Sequence, residues 1–334
     1  MKKSIRNLLL TGAAIVVPAL INNAIFSRSS ALGNILGGEG RFWSSDEGDI
    51  FYTKQGHGKP PIVLLHGIYA GASSYEWRKN FDALGEHYTV YAIDWLGFGL
   101  SDKPKIRYKP AVYISILTRF IAEVVGSPAA VIASSLAAAY AVEAAFATPG
   151  LISDLVLVCP AGLSSLSDDS GSAVQEVVYA LASSPVLGTS LYNAVASRAS
   201  LRGYLQDNVY FDPSYVTDEV VDHYSAASHQ YGSQYAAQSF IGGQLNHSVK
   251  DSLPNVKAHS LTIIWGREAK QSPLSDAESF LAANTLAELK VIDKAGLLPH
   301  DEQPSTFNRI VTELLKSETE SEAAGKKARR RRSE

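Results

Sequence analysis

The sequence predicts an α/β protein, a doubly wound and mostly parallel sheet with a helical cap inserted between two of its strands. Continuous apolar runs of strand length, PPIVLLHG, YTVYAIDW, VIAS and DLVLVCP, alternate with segments of helical spacing between Asp49 and Pro160. Strands buried on both faces between packed helices read this way. From Ala161 to Asn255 the alternation stops, and a helical pattern broken by Pro185, Pro213 and Gly242-Gly243 takes over. It resumes with HSLTIIWG, a helix through Asp276 to Ala283, the strand AELKVIDKAG and the helix TFNRIVTELLKSE. With 334 residues, 46% of them hydrophobic, the chain can bury one large core and carry an insertion.

Residues 1–27 open with Lys2, Lys3 and Arg6 and carry no charge from Asn7 to Ser27. The apolar centre LLLTGAAIVVPALI, with no small-x-small cleavage site after it, predicts an uncleaved anchor or interfacial helix. A helix packed on the body is the other reading. The protein is thus expected to be membrane-associated through this segment, on a side the residues leave open. Residues 28–48, rich in Ser and Gly, read as a linker, and GDIFYTKQG alternates as an edge strand. The core is expected over 49–160 and 256–318, the cap over 161–255. Residues 319–334 read as a disordered tail whose Lys326, Lys327 and Arg329 to Arg332 offer a contact for anionic lipid. The body carries no specific nucleic-acid signal. Cys159, the single cysteine, lies inside LVLVCP and reads as a small buried residue.

The stretch VIASSLAAAY, Val131 to Tyr140, is a strand, a tight turn and a helix in immediate succession. Centred on Ser135 it reads Ala133-Ser134-Ser135-Leu136-Ala137, small-x-Ser-x-small. Small residues two before and two after are needed where strand and helix nearly touch across a nucleophile elbow. A frame centred on Ser134 would place Ile132 and Leu136 at those positions, so Ser135 is the candidate nucleophile.

With these pieces the sequence resembles the α/β-hydrolase superfamily over about Asp49 to Leu315, in the cap-bearing branch of epoxide hydrolases and haloperoxidase-like esterases. HGIYAGASSYEW is similar to that family's loop after its third strand. DWLGFGLSDKP matches D-x-x-G-x-G-x-S-D-x-P, ASSLA stands at the elbow, and WGREAKQSPLS and KAGLLPHDEQP occupy the two C-terminal loops. The resemblance implies an oxyanion hole from the backbone N–H groups of Leu136 and Ile68, and scaffold roles for Asp94, Gly97, Gly99 and Ser101. It also implies a base and an acid that are missing: Leu297 stands where the family has its histidine, and Ala269 where it has its aspartate. The alternative acid position falls near Cys159.

A serine hydroxyl is a weak nucleophile until an oriented base takes its proton. His300, three residues past the lost base position, and Glu268, one before the lost acid, are the candidates for a rerouted triad with Ser135. Two functions fit these residues. One is a serine hydrolase of the carboxylic-ester type, acting on a small apolar ester- or amide-like substrate through Ser135 with a degenerate triad. The other is an inert pseudo-hydrolase that binds an apolar ligand or a protein partner. Neither paired histidine spacing for a metal nor a cofactor motif is present in the sequence, so no cofactor is expected.

Overall fold

The computed structural model describes residues 16–166 and 172–316. The first fifteen residues and the basic tail expected over 319–334 lie outside them. In chain order the elements are α1 (16–27), β1 (Glu39–Ser44), β2 (Asp49–Gln55), β3 (Pro61–Leu65), α2 (Phe81–Gly85), β4 (Thr89–Ile93), α3 (Pro110–Phe120), β5 (Ala129–Ser134), α4 (Leu136–Ala147) and β6 (Ile152–Val158). Among the described residues five cap α-helices follow: α5 (Ala173–Ala182), α6 (Leu187–Val195), α7 (Arg198–Tyr204), α8 (Asp218–Ser228) and α9 (Ser233–Ile241). The chain then returns to the sheet through β7 (Ser260–Gly266), α10 (Ala277–Ala283), β8 (Ala287–Ile292), α11 (Pro299–Glu302) and α12 (304–316).

The eight strands form one sheet in the order β1-β2-β4-β3-β5-β6-β7-β8. β1 and β2 run antiparallel to their neighbours and the rest are parallel. The apolar runs are strands because both faces are covered. Ile62 and Leu64 of β3 face a layer with Trp77, Phe81 and Phe307, while Val63 and Leu65 face a layer with Tyr113, Leu136 and Tyr140. The period-two alternation is invisible in the sequence because neither face is wet.

One expectation is corrected at the amino end. The stretch read as a linker contains β1, which makes β2 an inner strand. Its Ser/Gly-rich composition hid a Phe42-Trp43 pair that anchors it. Phe42 packs edge-on against Phe51, Trp43 packs edge-on against Phe120, and the Trp43 indole N–H donates to Glu123 at 3.0 Å. The described part of the first segment, α1, lies on the cap. Asn22 Nδ2 donates to Val186 O and Ser190 Oγ, Asn22 Oδ1 accepts from Asn193, and Phe26 is buried with Tyr192, Ala196 and Ala237. No helix among the described residues is long and apolar enough to cross a membrane.

The loop after β4 is a rigid brace. Asp94, almost fully buried, accepts the Ser74 N–H at 2.6 Å through one oxygen and the Leu100 N–H at 2.7 Å through the other. Ser101 links the Asp94 carbonyl to the Phe51 N–H. Gly99 has φ +48°, and a Cβ there would lie 2.1 Å from an Asp94 oxygen. Only glycine fits both the conformation and the space.

Asp94→Ala would leave two N–H groups without their acceptor and is expected to lower stability by about 3 kcal/mol. A urea unfolding titration of the purified chain checks this.

Candidate active site

The elbow forms as the sequence implies. Ser135 has φ 52° and ψ −124°, a conformation a non-glycine residue holds only at a cost of about 1–3 kcal/mol. The turn is held by Ser135 N–H donating to Val158 O on β6 and by Ala161 N–H donating to Ser135 O. Ala133 and Ala137 are fully buried on either side. Leu136 opens α4, so its N–H has no carbonyl one turn back to bond and belongs to the free donors of a helix start. Ser135 itself is half-buried, and no side chain among the described residues hydrogen-bonds its hydroxyl.

The loop after β3 lies against the elbow. A Cβ on Gly67 would sit 2.9 Å from the Tyr69 ring and 3.5 Å from Ser135 Cβ, so this backbone is wedged between the two residues. His66 braces the loop's start, with Nδ1 2.7 Å from Gly67 O and Nε2 accepting the Trp95 N–H at 3.1 Å. That network assigns a neutral ring with its proton on Nδ1, and burial lowers the His66 pKa accordingly.

Glu76, which the sequence did not single out, holds this loop from beneath. It is 1% exposed, and its Oε2 accepts the Gly67 N–H at 3.0 Å and the Tyr69 hydroxyl at 2.6 Å. Its Oε1 lies 3.1 Å from His300 Nε2. Burial alone would raise the Glu76 pKa, but His300 first, then Ser134 and Tyr69, outweigh it and hold the carboxyl down at about 2. A charged residue between Tyr75 and Trp77 in a short turn was the available signal.

The rerouted triad is not assembled. His300 is completely buried, stacked on Trp77 at 4.2 Å between ring centroids, and its carbonyl is gripped by Asn80. Neither of its ring nitrogens hydrogen-bonds Ser135. Glu268 accepts the Ala295 N–H at 3.0 Å and serves its own turn. The physical reason is that a histidine on α11 enters the layer below the sheet, where Glu76 is its partner. The three positions that the resemblance assigns to an acid or base are neutral and buried. Ala269 is 4% exposed, Leu297 8%, and Cys159, whose thiol burial pushes up to about 12, is 1%.

The cap is fastened over that gap. Leu297 N–H donates to Val209 O, and a Cβ on Gly296 would meet the same carbonyl at 2.4 Å. Glu302 accepts N–H bonds from Phe211, Asp212 and Gly296, while burial pushes its carboxyl up to about 7. Asp301 pairs with Arg78 and Lys79 at 3.0 and 2.8 Å and accepts the Tyr210 hydroxyl. On the other side, His223 of α8 stacks on Tyr75 at 3.8 Å and reaches Ser73 Oγ, and Tyr224 hydroxyl meets that of Tyr69 at 3.1 Å. Above Tyr69 is a cavity of about 380 Å³, lined mostly by apolar side chains including Leu201, Leu205, Ala237 and Phe240, with Tyr192, Tyr204 and Tyr224 at its wall. Among the described residues no cluster of histidine, cysteine and carboxylate side chains could hold a metal.

Because the folded-state Glu76 pKa is depressed below 4.5, its stabilising effect is present above that pH and is lost as pH falls towards 2. Glu76→Gln is expected to cost on the order of 3 kcal/mol at pH 7 and progressively less between pH 4.5 and 2. Denaturant unfolding of both proteins across that range reads the difference.

A sequence model described as the alpha/beta hydrolase family matches residues 62–310. An uncharacterized protein of Mycobacterium tuberculosis is 26% identical over 267 residues, 77% of this chain and 75% of that one. A 2-hydroxy-6-oxo-2,4-heptadienoate hydrolase of Pseudomonas putida is 26% identical over 269 residues, 77% of this chain and 90% of that one. In structure, a meta-cleavage product hydrolase from Pseudomonas fluorescens IP01 aligns with TM-score 0.67 at 25% identity, covering 83% of this chain and 98% of its own. With the sheet order, the strained serine turn and the inserted cap, these matches place the chain in the alpha/beta hydrolase family.

Proposed function

We propose that this protein takes a small, largely apolar ester- or amide-like molecule into the cavity under its cap and binds it beside Ser135 without efficient turnover. The observation that supports this is the condition of the proton-transfer positions: Leu297, Ala269 and Cys159 are uncharged and buried, while His300 is committed to Glu76. Tyr69 lines the cavity, and both its ring and Ser135 Cβ lie beside Gly67. The Ile68 and Leu136 N–H groups form the oxyanion hole, which needs no particular side chain and can hold a carbonyl oxygen. Without a base, the rate is lower by a factor of about 10⁶, and about 10³ to 10⁴ over water is left from the hole and from binding.

A second reading rests on the strain at Ser135. A plain binder has no use for an unfavourable φ at a half-buried serine, whereas acyl transfer through a Ser135 acyl-enzyme does. That reading requires a base other than His300.

Intact-mass analysis after exposure to a fluorophosphonate separates the two. The expected result is that wild type labels no faster than Ser135→Ala. Rapid labelling of wild type alone would establish an activated serine and sink the binding reading. Installing the missing groups as Ala269→Asp with Leu297→His should raise hydrolysis of a short p-nitrophenyl ester by at least about 10²-fold, read by absorbance. Filling the cavity with Ala237→Trp is expected to reduce affinity for a medium-chain fatty ester at least about tenfold, measured by calorimetry.

A further inference from the structure

The outer surface of the cap is apolar where a solvated helix would be polar. On α5 the residues at i, i+3, i+4 and i+7 are Val174, Val177, Val178 and Leu181, and they are 73%, 61%, 37% and 60% exposed. This is the amphipathic spacing of a buried face turned to the outside. On α6 the stripe is Leu187, Leu191 and Val195, again exposed, in a helix with no charged residue. On α1 it is Val16, Val17, Leu20 and Ile21. The Asn22 bonds to Val186, Ser190 and Asn193 lay α1 along α6, so these stripes belong to adjacent helices. The carboxylate of α5, Glu176, is off the stripe and paired with Arg107. Scattered exposed apolar residues are ordinary, but stripes on three neighbouring helices are not.

We propose that this face of the cap lies on a lipid bilayer, in the plane of the headgroup and acyl boundary. Two features select lipid over a second copy of the chain. The residues preceding α1 in the sequence are themselves apolar, Leu8 to Leu10 and Ala13 to Ile15, and are led by Lys2, Lys3 and Arg6. An apolar stretch led by cations in the sequence suits an anionic membrane surface, not a symmetric apolar interface. The cavity also opens on this side: Val195 belongs both to the α6 stripe and to the cavity lining, and Tyr204 and Ile241, which line it too, are 37% and 44% exposed. A chain docked this way presents its cavity to acyl chains, which makes a lipid-derived ester or acid the class of ligand. That last step rests on the binding reading above, while the docking itself does not.

The test is flotation of the full chain with phosphatidylcholine vesicles containing a minority of phosphatidylglycerol. Val177→Glu combined with Leu187→Glu touches neither the core nor the cavity lining and should lower vesicle partitioning at least about tenfold, with fatty-ester affinity in vesicle-free solution unchanged. An environment-sensitive dye on Leu191→Cys should shift to the blue when vesicles are added; the buried Cys159 does not compete for the label. Unchanged partitioning of the double variant, or a dye that stays in water while the chain floats, overturns the proposal. A wild-type dimer in light scattering that the double variant dissociates, with vesicle binding intact, would assign the face to a second copy and overturn it as well.

Discussion

A carboxylate sealed from water must be met by donors, and the arrangement around Glu76 follows from that requirement. Its Oε2 accepts from the Gly67 N–H and the Tyr69 hydroxyl, both in the loop after β3, and its Oε1 lies 3.1 Å from the His300 imidazole of α11. Removing any one would leave a buried charge short of compensation, which is far more destabilising than the net worth of the intact cluster. The loop that carries Ile68 is therefore held from below by electrostatics, whatever chemistry takes place above it.

That same constraint keeps His300 away from Ser135. His300 is the imidazole closest in sequence to Leu297, but it is stacked on Trp77 and paired with Glu76. Moving it towards Ser135 would strand the carboxylate. On the opposite side of the loop, Leu297 and the Gly296 backbone serve as the seat for Val209, and Asp301 and Glu302 grip Tyr210, Phe211 and Asp212. The segment after β8 thus clamps the cap. Leu297 suits that role, since an apolar side chain beneath a fastened cap requires no hydrogen-bond partner.

The cap divides its residues by face. The inner face supplies the tyrosines and apolar side chains of the cavity, and the outer face carries the exposed stripes of α5 and α6. Val195, which is exposed, is common to both. At the elbow, Ser135, one of four described non-glycine residues at positive φ, is held in place by hydrogen bonds to β6 and the chain beyond it and by alanines that allow β5 and α4 to approach.

Local pattern alone determined the sheet, the elbow and the brace loop. Apolar runs of strand length, small residues flanking Ser135 and the glycines of DWLGFGLSDKP each encode a conformation within a few residues. The family resemblance, again through place along a loop, put Leu297 and Ala269 at its base and acid positions. What the tertiary structure decided are pairings at long separation. Glu76 with His300, Glu302 with Phe211, and Asn22 with Ser190 join residues whose proximity exists only once the sheet and cap are stacked. β1 was missed because a Phe-Trp pair in a Ser/Gly-rich stretch forms a strand only when β2 and Phe120 are there to receive it. The outward stripes of the cap are legible as helices in sequence, but an amphipathic pattern does not state which side the core is on, and only packing assigns the face.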